Sequence, residues 1–433
     1  MSRKHCAGRA RCAEFSGRAV FPIDSSLHFG RSMIDVAHAL DLFDSNISAL
    51  ATRTVSLDAA LGRVAAKDVL SKIDLPPFSQ SAMDGYAVRA EDLGDASEQA
   101  PVCLTRVGEV AAGAAGELAH IGKGETVRIF TGARIPPGAD AVVRQEDTMS
   151  QGGAVYFKTS VPPAHDIRGR GEELREGTRL IAAGERLDAR HIGVLSMCGH
   201  AEVEVYREPR ITLLISGDEI ASAGRPLGPG EVYDANRPFL AGWLRMRGYA
   251  NVRIVALADE REAVATALAE AFAASDLVIS TGGVSVGEYD FFTHAAEAMG
   301  LETVFWRVRQ RPGKPLLFAR RDECILLGIP GNPGAVFVSA YVYLRRVLDR
   351  LEGRSEPGPR MRGGVLGEAV GCCARRVTWC GCQLDYDGRG VARLLPVGGH
   401  KMTQLYRADA IALIPPAEAQ LPPGSVVRWF SLH

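Results

Sequence analysis

The chain lacks any run of about 18 apolar residues, which excludes a membrane-spanning helix. It also lacks charge of one dominant sign: 50 Lys and Arg stand against 51 Asp and Glu, a formal net charge of −1, so nothing in the bulk charge points to nucleic acid or an anionic membrane surface. A disulfide framework is missing. The nine cysteines are odd in number and scattered, which excludes a stapled secreted scaffold and favours a reducing, cytoplasmic compartment. The tightest group, Cys372, Cys373, Cys380 and Cys382, has the spacing C-C-x6-C-x-C rather than the paired C-x2-C arms of tetrahedral zinc, and such small side chains in a β-rich tail pack as core. There is no internal repeat, Ser/His/Asp pattern, H-E-x-x-H zinc motif or phosphate-binding G-x-x-x-x-G-K-[ST] loop.

What is present is ordinary for a multidomain globular enzyme. At 433 residues, 46% of them hydrophobic and 23% charged, the chain is long enough for several cores, with two to four domains expected at about 100–200 residues each. Residues 1–32 carry Arg3, Lys4, Arg9, Arg11, Arg18 and Arg31 against Glu14 and Asp24, with no apolar segment of a secretory signal. That stretch reads as a disordered extension, a translation start upstream of Met33, or a basic leader.

From Met33 the positions Val36, Leu40, Phe43 and Ile47 recur at helical spacing, and "SLDAALGRVAAKDV" repeats the pattern with Ser56 as N-cap. Pro76-Pro77 then impose an extended loop. Residues 86–163 alternate short Val/Ile/Thr-rich runs with Gly and Pro clusters, the pattern of a small β domain. Residues 164–207 are expected to return to residues 33–85 as one discontinuous helical and β domain. Between 208 and 353, strands alternate with amphipathic stretches, which predicts a central parallel α/β sheet covered on both faces. Beyond a charged, Gly/Pro-rich linker, residues 359–433 read as a barrel-like β domain.

Three strands of the α/β region end in unusual loops: "ISGDEI" (215–220), "STGGVSVGEYD" (280–290) and "GIPGNPGA" (328–335). In a parallel sheet the three ends share the edge where ligands bind, bringing Asp218, Glu219, Glu288 and Asp290 together, with Asp259 joining from the strand "NVRIVALA". The Gly282-Gly283 amides suit a phosphate or another oxyanion, while the carboxylates oppose one unless a hard cation such as Mg²⁺ lies between. Taken singly, a Gly pair after a strand is common packing and a lone Asp is an N-cap; the accumulation of acids makes a site the competing reading.

In "FWRVRQRPGKPLLFARR" (305–321), Arg307, Arg309 and Arg311 alternate, so an extended strand would set all three on one face beside Lys314 in a rigid Pro-Gly turn. Such a face suits a phosphate or tetrahedral oxyanion, or is a charged edge that blocks aggregation. Asp84 and Thr131 each precede a glycine, and from spacing alone both are turn residues.

In order, "PPFSQSAMDGYAVR", "RIFTGARIPPGADAVVRQED", "RGRGEEL", "ISGDEI", "VYDANR", "STGGVSVGEYD", "RPGKPL" and "GIPGNPGAVF" resemble the MoeA family of molybdopterin molybdenumtransferases, whose eukaryotic relatives include a domain of gephyrin. The resemblance covers about residues 33–430 and leaves out residues 1–32. It implies a homodimer with four domains per chain and a cleft shared between subunits, and a Mg²⁺-dependent reaction of adenylylated molybdopterin with molybdate that gives molybdenum cofactor and AMP. Contact with the adenylyltransferase and with acceptor molybdoenzymes is implied too. By motif match it implies catalytic roles for Asp84, Thr131, Glu173, Glu219, Asp259 and Asp290, with Glu219, Asp259 and Asp290 near the metal. Gly282, Gly283, Ser285, Arg307, Arg311, Lys314, Pro330 and Pro333 fall to substrate binding. Arg307 and Arg311 stand where the family often has Lys. "YDANR" replaces "YDTNR", "PGNPGA" replaces "PGNPVS", and "GGHKMTQL" lacks the serine of "GSHML". A molybdopterin adenylyltransferase, which shares the α/β part, and a gephyrin-like scaffold are the other readings.

Overall fold

The computed structural model describes residues 33–116, 118–283, 291–387 and 390–433. The extension read over residues 1–32, and Ser285, Glu288 and Asp290 of the Gly-rich loop, lie outside the described residues.

The α/β region is a six-stranded sheet. Strands Val252–Leu257, Ile211–Ser216, Leu277–Thr281 and Cys324–Ile329 lie side by side and parallel, as the alternation of strands and helices predicts. Leu317–Arg321 departs from that pattern. It pairs antiparallel with Cys324–Ile329 because only the two residues Asp322 and Glu323 connect them, too few for a crossover, and Glu302–Trp306 closes that side. Both faces are buried with period 2: Leu213, Ile215, Ile279 and Leu327 enter one core, while Leu214, Val278 and Leu326 enter the other with Val264, Leu268 and Phe292 of the helices Arg261–Ala274 and Phe291–Ala298.

The first helix, Val36–Asn46, buries Val36 and Phe43, and with Ile47 just beyond it joins the larger of these cores, so its apolar face packs on the α/β sheet. Each of these side chains contributes about 1.5–3 kcal/mol by burial. The second expected helix is a single turn, Leu57–Ala60. Its helical pattern gives way because Val64 and Ala65 bridge to Arg186 and Val205, and this tertiary pairing overrides local propensity.

Residues 52–81 pair with residues 167–206 in three antiparallel ladders: Thr52–Ser56 with Glu202–Tyr206, Val69–Leu70 with Arg179–Ile181, and Gln80–Ser81 with Ile167–Arg168. A common core of Leu57, Ala65, Val69, Ile181, Leu195 and Val205 lies beneath. The chain between them forms a separate six-stranded sheet with Val102–Val110 and Glu125–Ile129 near its centre. At the C-terminal end, Val377–Tyr386, Ala392–Pro396, Arg362–Leu366, Val426–Ser431 and Ala410–Ile414 follow one another around a closed five-stranded barrel, the last pairing back to the first. Cys380 and Cys382 lie in its core. Trp379, Leu405, Ile411 and Phe430 pack outward into the α/β core and seat the barrel on it.

Candidate active site

The parallel register puts Ser216, Leu257, Thr281 and Ile329 at one edge of the sheet. Asp218, Glu219 and Asp259 meet there: the Asp259 N–H donates to Asp218 Oδ1 at 3.1 Å. Asp259 Oδ1 is buried with no hydrogen-bond partner among the described residues. Desolvation raises the Asp259 carboxyl above its ordinary value. A hydrogen bond from Ser216 opposes the shift, and the negative charges of Asp218 and Glu219 add to it. An orphaned carboxylate oxygen facing two more acids is the donor chemistry a hard divalent cation would satisfy. Among the described residues no three Asp, Glu, His or Cys side chains form a metal-ligand group, and Asp290, the remaining expected ligand, lies outside them.

Of the Gly pair, Gly282 has its N–H already in use. The Gly282 N–H donates to Ile329 O at 3.2 Å, so it belongs to the sheet and is not free to cradle an oxyanion. What the pair provides is close approach. Both residues have positive φ, a Cβ at Gly282 would lie 3.0 Å from Ser216 O, and one at Gly283 would lie 2.8 Å from the Phe292 ring. Two asparagines that the sequence reading left without a role join the neighbouring loops. Asn236 Nδ2 donates to Gly331 O at 2.8 Å, and Asn332 caps the helix Pro333–Ser339 by accepting from the Gly334 and Ala335 N–H groups at 3.0 and 3.3 Å. The Asn-Pro pair at 332–333 is the readable signal for that cap.

Beside this edge lies a cavity of about 430 Å³ lined by residues that include Gly283, Arg311, Gly313, Pro330, Asn332 and His400. His400 comes from the barrel. Burial, reinforced by the positive charge of Arg311, pushes its imidazole below the ordinary value, which favours the neutral ring. A Cβ at Gly334 would sit 1.7 Å from the His400 carbonyl oxygen, so the glycine here is what lets the barrel loop reach the cavity.

The three arginines do not share a face. Arg307 has φ 79°, which breaks the strand after Trp306, and its guanidinium stacks 3.7 Å from the Trp306 ring centroid. Arg309 turns to Asp35 at 3.0 Å and to the Met33 carbonyl. Of the three, only Arg311 lines the cavity. Lys314 is half-buried in the following turn, where its carbonyl accepts from the Val308 N–H at 2.9 Å.

The remaining expected residues lie in the N-terminal part, in two places. Asp84 Oδ1 accepts from the Thr131 N–H at 2.8 Å and from its hydroxyl at 2.7 Å, and these two bonds, the backbone one first, hold the Asp84 carboxyl below its ordinary value. Glu173 lines a cavity of about 390 Å³ with Leu75, Pro76, Arg168 and Glu172.

Residues 34–199 match the family described as the MoeA N-terminal region (domain I and II), and residues 212–350 match the probable molybdopterin binding domain. The chain is 37% identical to a molybdopterin molybdenumtransferase of Nostoc over 305 residues, 70% of each protein. It is 32% identical to molybdopterin molybdenumtransferase 2 of Mycobacterium tuberculosis over 384 residues, 88% of this chain and 95% of that one. The crystal structure of the molybdopterin biosynthesis MoeA protein of Pyrococcus horikoshii superposes with a TM-score of 0.78 at 28% identity, covering 93% of this chain and all of the other. Motifs, fold and similarity over most of the chain agree, and the chain belongs to the MoeA family as a molybdopterin molybdenumtransferase of molybdenum cofactor biosynthesis.

Proposed function

We propose that the enzyme inserts molybdate into adenylylated molybdopterin in a Mg²⁺-dependent reaction that releases AMP. The observation that carries the reading is the meeting of Asp218, Glu219 and the orphaned Asp259 oxygen at the sheet edge beside the Arg311 cavity. Asp259 and Asp290, with Glu219 close by, would hold Mg²⁺, whose charge lets carboxylates and pyrophosphate oxygens share one site. Arg311 and Lys314 would hold the substrate oxyanions, Arg311 as a fork and Lys314 as a point charge. Pro330 and Pro333 would keep the adjoining loop rigid. The dithiolene sulfurs of the pterin would replace two oxo ligands of molybdate, which take up protons and leave as water, and a water would cleave the pyrophosphate to release AMP, so the protein contributes orientation and electrostatics rather than a nucleophile.

Asp84, Thr131 and Glu173 would complete the site from a second subunit of a homodimer. The solvent-exposed Met197, which lines the Glu173 cavity, and the exposed Phe78, which follows Pro77 of the same lining, support a partner on that face. The adenylyltransferase reading does not account for an N-terminal region matched over residues 34–199.

The test is incubation with adenylylated molybdopterin, Mg²⁺ and molybdate, reading AMP and active cofactor. Asp290→Ala and Asp259→Asn should fold normally and lose AMP release by about 100-fold or more, the scale expected when a charge-stabilising group is removed. Full release by both folded variants would sink the assignment.

A further inference from the structure

Gln310 is fully buried, and its amide links three parts of the protein. Its Oε1 accepts from Tyr343 OH at 2.5 Å, in the helical segment Ala340–Leu344, and from Trp379 Nε1 at 2.8 Å, in the barrel; its Nε2 donates to Gly313 O at 2.7 Å. Ala340–Leu344 is a π turn, a rare local winding that recurs at functional sites. Tyr343 and Trp379 are themselves buried, so all three polar groups depend on each other. The backbone reinforces the link, since Gln310–Arg311 pairs in parallel with Val377–Thr378 of the barrel. Arg311, Pro312, Gly313 and Pro315, which follow directly, line the 430 Å³ cavity.

An apolar side chain of similar size would fill this space without desolvating an amide, so packing alone gives no reason for glutamine. What a satisfied buried network adds is one fixed arrangement. Gln310 is not among the residues that line the cavity, and it holds the Gly313 carbonyl in the turn between Arg311 and Lys314. We infer that Gln310 is a positioning residue, which sets the turn carrying Arg311 and Lys314 at the cavity and makes the barrel, through Trp379, part of that setting. The kinetic half of this inference rests on the proposed molybdate reaction; the structural half does not.

The test separates positioning from stability. Gln310→Met alone leaves the Tyr343 and Trp379 donors unpaired and lowers stability. Combining Gln310→Met, Tyr343→Phe and Trp379→Phe also removes both orphaned donors and restores part of it, while the Gly313 carbonyl stays released from the Gln310 amide. In this folded triple variant the KM for molybdate should stay raised about five- to tenfold with kcat within about twofold, the scale of one lost hydrogen bond. Amide exchange at Arg307 and Val308, whose N–H groups donate to Leu316 and Lys314 across the turn, should quicken. An unchanged exchange rate, or an unchanged KM in protein that turns over, overturns the inference. Wild-type protein that gives no molybdate-dependent AMP refutes the proposed reaction instead, and the exchange measurement still decides the positioning role.

Discussion

Gly334 offers the sharpest test of how the barrel meets the cavity. A Cβ there would lie 1.7 Å from the His400 carbonyl oxygen. A carbon and a carbonyl oxygen approach no closer than about 3.3 Å without cost, so Gly334→Ala must push the His400 backbone away by roughly 1.6 Å. His400 immediately precedes Lys401 and the turn Met402–Leu405, whose Leu405 is buried in the core between barrel and sheet. Overpacking costs about 1–3 kcal/mol, and partly unseating Leu405 adds up to about 2 kcal/mol. Together these predict a fall in Tm of about 5–15 °C by calorimetry, with Gly334→Val more severe. Gly331→Ala is the control: its Cβ would meet Gly282 Cα at 3.5 Å, an ordinary contact, and it should melt within about 2 °C of the parent. A Gly334→Ala protein that melts with the parent and keeps its tryptophan fluorescence would refute the close approach.

Other expectations follow from the charges. Asp259 has a carboxyl raised above its ordinary value, so its ionised form opposes folding: its contribution weakens stability as pH rises from about 4 through the raised pKa. Asp259→Asn should therefore raise the Tm of metal-free protein at pH 7 while lowering the proposed AMP release by about 100-fold or more, and a lower Tm would contradict the burial argument. Asp84 has the opposite sign, its stabilising effect being present above about pH 4 and lost as pH falls through its lowered pKa; Thr131→Ala should move that carboxyl back toward its ordinary value in a carbon-detected NMR titration. Arg186 donates to Asp349 and Glu352, both almost fully buried, at 3.1 and 2.6 Å. Arg186→Met leaves two buried carboxylates short of a partner and should cost about 3–5 kcal/mol in urea unfolding.

Much of the architecture can be read directly from residue pattern. The central strands of the α/β sheet are apolar enough to be buried on both faces, and Asp218, Glu219 and Asp259 meet in the loops beyond the parallel strand ends, as their positions suggest. The arginine face misleads because alternation means a shared face only while the backbone stays extended, and Arg307 leaves that region. Gly282 misleads for a related reason: a glycine after a strand fits both an anion cradle and a tight strand junction, and its hydrogen bond to Ile329 distinguishes them, whereas Gly283 lines the cavity. His400 and Gln310 leave no local trace of their roles. Each acquires its setting from residues far along the chain, His400 from Gly334 and Arg311, Gln310 from Trp379 and Tyr343.

The ladder between Thr52–Ser56 and Glu202–Tyr206 has a consequence for synthesis. A ribosome adding about 5–20 residues per second needs roughly 7–30 s to go from one strand to its partner. During that interval the early strand, the Leu57–Ala60 turn and Val69 have no core to enter, whereas the intervening sheet, whose strands pair among themselves, is already complete. The inserted unit should therefore acquire structure first on the nascent chain, and the segments that flank it should be the ones that need protection from premature association.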